Sequence, residues 1–126
     1  MLAGSGTGLA PLYGIVRDAL QQNHRGDMHL FHSGKNIEEL YLHKKLRKLA
    51  ADYEQFYYYA RVEHNKGNEL FSAQTMEEMI AETFPMLDNW QVYLCGNPNR
   101  VKLLRKQAFL AGASMQQIFS DAFETN

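Results

Sequence analysis

Short apolar and β-branched runs alternate along this chain with longer segments of helical period, and that alternation limits the fold to few choices. Met1 to Ala3 reads as the end of a strand. Pro11 to Gln22 reads as a helix, with Leu12, Ile15, Val16, Ala19 and Leu20 on one side. Asn23 to Asp27 is a turn and Met28 to Ser33 a short strand. Asn36 suits the cap of a second helix whose stripe is Leu42, Leu46, Leu49 and Tyr53. Phe56 to Val62 is aromatic and β-branched enough for a strand. After the polar loop His64 to Asn68 comes a helix from Thr75 to Phe84, with Thr75 and Glu78 as a capping box. Trp90 to Cys95 is the next strand. Asn97 to Ala111 and Ser114 to Phe123 read as helices broken at Gly112. The order β-α-β-α-β-α-β-α-α predicts an α/β fold. It is a three-layer, doubly wound, Rossmann-like sheet of about five mainly parallel strands, with helices on both faces.

Composition narrows the function. The 126 residues make one domain, and 45% hydrophobic content supplies a core. Lys and Arg total 13 against 14 for Asp and Glu, a formal charge of -1, which argues against a nucleic-acid partner. One cysteine, Cys95, rules out an internal disulfide and fits a reducing, cytoplasmic setting. No apolar run approaches the roughly 18 residues of a membrane span. The opening MLAGSG has neither a charged start nor a long apolar stretch, so no signal peptide is expected. The five histidines predict no metal site. His29 and His32 point to opposite faces of one strand, and His24, His43 and His64 sit on other elements.

Ligands of such sheets lie beyond the carboxyl ends of the strands, near the point where strand order reverses. Two strand ends are unusual here. Gly4 to Pro11 (GSGTGLAP) follows the first strand. Its glycines permit a tight turn and close approach of backbone amides to a phosphate, and Pro11 suits the first turn of the next helix. An ordinary glycine-rich turn reads the same way. The dinucleotide fingerprint G-x-G-x-x-G is absent, because Leu9 stands where its third glycine belongs. Cys95 to Pro98 (CGNP) follows a later strand. Asn97 suits a helix cap, Pro98 the first helical position, and Gly96 lets a flat ring approach the backbone. A buried structural cysteine is the other reading of Cys95.

Together, Gly6-Thr7-Gly8-Leu9-Ala10-Pro11 and Val92-Tyr93-Leu94-Cys95-Gly96-Asn97-Pro98 resemble the NAD(P)-binding domain of the ferredoxin–NADP reductase superfamily. LFHSGKNIEELYLHKKL resembles its second strand, turn and helix. The closing FLAGASMQQIFSDAF is similar to reductases that carry a 2Fe-2S module and serve oxygenases. The resemblance implies that NAD(P)H lies across the carboxyl edge of the sheet and passes a hydride to FAD. Gly6, Thr7, Gly8 and Pro11 match the loop for the pyrophosphate and nicotinamide end. Cys95 matches the cysteine beside the nicotinamide, bordered by Gly96, Asn97 and Pro98. Gly34 and Lys35 match the turn near the adenosine. Phe123 matches an aromatic near the flavin, with plain helix packing equally open. Glu63, after the third strand, would repel a 2′-phosphate, while Arg61 and Lys35 would attract one; the balance favours NADH.

The redox chemistry then belongs to the cofactors, and no acid–base pair is expected. Glu38–Glu39 and Glu77–Glu78 read as solvated faces. The basic runs at Lys44 to Lys48 and Arg100 to Lys106 read likewise, with docking of an acidic redox partner as the alternative. Only a few residues precede the glycine loop. The chain is therefore expected to be one domain, 1–126, of a larger flavoprotein, with a clipped first strand and no FAD-binding barrel. Two other functions fit in part. A methyltransferase also uses G-x-G-x-G for S-adenosylmethionine, but wants an acid where His32-Ser33-Gly34-Lys35 stands. A non-catalytic nucleotide-binding domain is the third reading.

Overall fold

The computed structural model describes residues 1–6, 9–34, 42–62 and 74–122. Five parallel strands form one sheet: β1 (Leu2–Ser5), β2 (Met28–Gly34), β3 (Phe56–Val62), β4 (Val92–Gly96) and β5 (Ile118–Ala122). Their order is β3-β2-β1-β4-β5. The chain therefore winds outward from β1 to β3, returns, and winds the other way from β4 to β5. The reversal lies between β1 and β4.

Helices α1 (Leu9–Gln21) and α2 (His43–Asp52) pack with one side of the sheet, α3 (Met76–Thr83) and α4 (Pro98–Leu110) with the other. The alternation of the strands explains the two cores. Leu2, Leu30 and Cys95 join Leu9, Leu12, Val16 and Leu46 in one. Ala3, Phe31 and Leu94 join Met76, Ile80, Val101 and Leu104 in the other. Each fully buried leucine contributes about 1.5–3 kcal/mol. The aromatic run of β3 is strand packing: Tyr57 stacks on His29 at 4.3 Å and Tyr59 on Phe31 at 4.4 Å between centroids.

Three expectations are corrected. Ser114 to Phe123 is not a helix: a 3₁₀ turn at Met115–Gln117 leads into the edge strand β5. Met115, Ile118 and Phe119 have helical spacing, but Met115 stays exposed in the turn and only Ile118 and Phe119 sit on the strand, facing opposite sides of the sheet. Ile118 is buried among residues of the α4 side, while Phe119 stacks on Tyr93. The helix at Pro11 starts earlier, at Leu9, so Pro11 is third in its first turn. Glu77 is not a free surface carboxylate: it is partly buried and its Oε1 lies 3.0 Å from Arg100 Nη1, tying α3 to α4, while Glu78 is exposed as read. Arg105, from the same basic run, reaches Ser120 Oγ on β5 at 2.6 Å. The capping hydroxyl of Thr75 accepts from Glu78 N at 3.1 Å as expected. Asn36, the loop His64 to Asn68 and Glu38–Glu39 lie outside the described residues.

Candidate functional site at the β1–β4 switch point

The two unusual strand ends meet. Gly4 is the register partner of Cys95, so the glycine loop and the CGNP segment leave the sheet side by side. Gly6 has φ +56, and a β-carbon there would meet nothing within 4 Å. Its glycine is needed for backbone conformation, and the space beside it is open. Gly96 is constrained twice. Its φ is +129, and a β-carbon would meet Ser5 Oγ at 2.8 Å and the Ser5 carbonyl oxygen at 3.1 Å.

Both following helices begin at this edge. Leu9 opens α1 three residues after Gly6, and Pro98 opens α4 two residues after Gly96. Asn97 Oδ1 accepts from Asn99 N at 2.9 Å, and Pro98 holds the first helical position. Those cap features agree with the sequence reading. The first turns of both helices carry backbone N–H groups without intrahelical partners and a partial positive charge. Such an edge suits an anionic ligand.

Cys95 is 3% exposed and belongs to the α1-side core. Burial raises its thiol above the ordinary value, the Asp121 carboxylate adds to the rise, and the Gly96 N–H opposes it. Asp121 is its register partner on β5. At neutral pH Cys95 is therefore a buried, protonated thiol and not a nucleophile.

One cluster beside the site was not foreseen. His32 is the register partner of Gly4 on the other flank of β1 and is fully buried. Its Nδ1 lies 3.3 Å from the Tyr58 hydroxyl, which also lies 3.2 Å from His43 Nδ1. A hydroxyl has one proton, so it donates to one ring and accepts from the other, and the two rings hold opposite tautomers at Nδ1. His32 Nε2 has no hydrogen-bond partner. Burial, then the charge of His43, pushes the His32 imidazole down to about 4. Pairing of β2 with β3 puts Leu30 opposite Tyr58 and His32 opposite Ala60, so Tyr58 is the diagonal neighbour of His32 on one face. That pairing was the missing signal. Among the described residues no three His, Cys, Asp or Glu side chains are grouped to hold a metal.

Of the residues singled out from sequence, Gly6, Cys95, Gly96, Asn97, Pro98 and, one turn on, Pro11 gather at the switch point. Gly34 ends β2, one residue beyond the Ser5–Ser33 pair. Thr7, Gly8, Lys35 and Phe123 lie outside the described residues.

Comparison with known proteins agrees with this geometry. Residues 1–106 match the family described as the oxidoreductase NAD-binding domain. The chain belongs to that family. The NAD-binding domain is 33% identical over 123 residues to the ferredoxin–NAD(P)+ reductase component of the naphthalene 1,2-dioxygenase system of Pseudomonas putida. That match covers 98% of this chain and 38% of the relative. A probable flavin reductase of Vibrio harveyi is 25% identical over 124 residues, 98% of this chain and 53% of its own length. The crystal structure of an Amycolatopsis cytochrome P450 reductase superposes with a TM-score of 0.86 at 26% identity, covering 97% of this chain and 36% of that one. The NAD-binding domain thus spans between a third and about half the length of these relatives. Among the described residues no helix is long and apolar enough to cross a membrane.

Proposed function

We propose that this domain holds NAD(P)H across the β1–β4 switch point for a flavin-dependent reductase that feeds an iron–sulfur or oxygenase partner. In this reading residues 1–126 are one domain of a longer cytoplasmic chain whose FAD-binding barrel lies elsewhere in sequence. The observation that carries it is the register pairing of Gly4 with Cys95, which sets the glycine loop against Gly96, Asn97 and Pro98. When bound, NAD(P)H supplies the hydride and FAD accepts it.

The roles of this chain's own residues follow from chemistry. Gly6 has open space beside it, next to the first turn of α1 that holds Pro11, and is assigned with Thr7 and Gly8 to the pyrophosphate. Gly96 lets β4 close against Ser5 and so fixes where the nicotinamide-side segment leaves the sheet. Asn97 and Pro98 fix the start of α4 and hence the wall of the site. Cys95 contacts the nicotinamide as a neutral thiol and acts by alignment, which dominates hydride transfer. Gly34 and Lys35 are assigned to the adenosine and Phe123 to the flavin on the family resemblance alone. NADH is the favoured coenzyme: Glu63 disfavours a 2′-phosphate, and Arg61 Nε already donates to the Gln74 carbonyl oxygen.

Calorimetry on this chain tests the reading. NADH is expected to bind weakly, NADPH more weakly, and S-adenosylmethionine not at all. Heat from S-adenosylmethionine alone overturns the proposal. The flavin-free chain is expected to oxidise neither coenzyme.

A further inference from the structure

The layer formed by α3 and α4 carries an apolar ridge that stands exposed among the described residues. Val101, Leu104 and Ala108 turn one side of α4 to the core. Leu103 and Leu110 stand on the outer side, 60% and 73% exposed, and exposed Phe109 lies farther round the helix, beyond Lys102 and Lys106. A helix that is apolar on both sides is ordinarily covered on both.

Charge is divided across the same layer. Residues 98–117 contain four cations and no carboxylate: Arg100, Lys102, Arg105 and Lys106. Helix α3 contains Glu77, Glu78 and Glu82 and no cation. The seam between the helices is closed by Arg100 on Glu77 at 3.0 Å, and by Gln107 Nε2 donating to the Glu77 carbonyl oxygen at 3.0 Å. At about 100° per residue, the outer side of α4 runs from that seam through Leu103 and Leu110 to Lys106 and Lys102. The outer side of α3 runs from the seam through Ala81 to Glu78 and Glu82. All of these outer residues except the two leucines are small or charged, and all are exposed. The layer therefore reads acidic strip, small strip, apolar ridge, basic strip.

A surface of that pattern is complementary to itself after a half turn about an axis along the seam. The turn keeps the helix direction and lays α4 of one copy over α3 of the other. Leu103 and Leu110 then seat on the flat strip at Ala81, and Lys102 and Lys106 face Glu78 and Glu82. An in-plane axis across the helices would instead set like charges together, which is disfavoured. A net charge of -1 adds little long-range repulsion between copies.

We propose that the α3–α4 layer is the contact surface for a second copy of this chain, related by a two-fold axis along the Arg100–Glu77 seam. It does not rest on the nucleotide reading, and failure to bind NADH leaves it standing.

Sedimentation equilibrium tests it, with circular dichroism confirming that each variant is folded. The wild-type chain is expected to dimerise, more weakly as salt rises. K102E/K106E and E78K/E82K are each expected to raise the dissociation constant at least tenfold. An equimolar mixture of the two variants is expected to recover dimer, because each supplies the strip the other has lost. A wild-type chain that stays monomeric into the range of about 0.5 mM, near the weak end of specific association, overturns the proposal. So does a mixture that fails to recover dimer. Monomeric protein that binds poly-glutamate through Lys102 and Lys106 would assign the face to an acidic partner and equally overturn it.

Discussion

The backbone of Gly96 passes so close to Ser5 that a single added carbon would lie 2.8 Å from Ser5 Oγ and 3.3 Å from Ser5 N. The two residues end neighbouring strands, and their contact fixes how the glycine loop and the CGNP segment face each other. Removing the Ser5 hydroxyl would not free the position. The Ser5 carbonyl oxygen at 3.1 Å and the φ of +129 both remain.

Gly96→Ala is therefore expected to destabilise the fold by about 2–4 kcal/mol, combining backbone strain with local overpacking. Chemical denaturation measures it. Ser5→Ala in the Gly96→Ala background is expected to recover only a minor part. Full recovery would mean that the hydroxyl alone is the obstacle.

Cys95 is buried and its thiol is raised, so it is expected to resist thiol reagents in the native state. Labelling by a disulfide reagent at neutral pH should be slower than in denaturant by about a hundredfold or more. Rapid native labelling would show an accessible thiolate. Cys95→Ser should keep the fold and, in a complete flavin-bearing reductase, lower kcat more than it raises KM, because alignment is what the residue supplies.

Much of this architecture is legible in the sequence, for reasons that differ by element. Strand β3 is legible because it carries a continuous aromatic and β-branched run, and β2 because its short apolar run is set off by the turn before it. The start of α4 is legible because Asn97 and Pro98 act locally, through a cap bond two residues long. The strand β5 is not, because only its place beside β4 distinguishes its spacing from a helix. Nor is the His32–Tyr58–His43 chain, whose members lie 15 and 26 residues apart and meet only after β2 and β3 pair. The site divides the same way. Local glycine and cap chemistry marks Gly6 and Gly96, whereas their juxtaposition needs β1 to pair with β4.

The Arg100–Glu77 pair joins two helices and is only partly exposed, 24% and 33% by side chain. Its coupling is expected at about 1 kcal/mol, the upper end for pairs that water still reaches. A double-mutant cycle with Arg100→Met and Glu77→Gln measures it by denaturation at low salt. Glu77→Gln alone should cost less than Arg100→Met, since the Glu77 carbonyl oxygen keeps its bond from Gln107. A coupling of zero would mean that packing, not charge, closes the seam.

Stability is expected to fall on acidification well before carboxylates titrate. Burial lowers the His32 imidazole from 6.5 to about 4, and the Met1 amine, bonded to the Gln91 carbonyl oxygen at 2.8 Å, from 8.0 to about 5. His29 and His43 are lowered as well, chiefly by burial. These groups are bases held neutral in the fold. Between the two pKa values the unfolded chain binds more protons than the native one, so stability rises with pH. It is full above the unfolded values and is lost as pH falls from about 8 through about 4. The His32 share is roughly 3 kcal/mol, from about 1.4 kcal/mol per unit. His32→Gln should therefore flatten the dependence of Tm on pH between about 6.5 and 4, while the Met1 amine keeps a slope at higher pH. An unchanged slope below pH 6.5 in that variant would mean that His32 is already protonated in the native fold, with Nε2 bonded to a group that stabilises its charge.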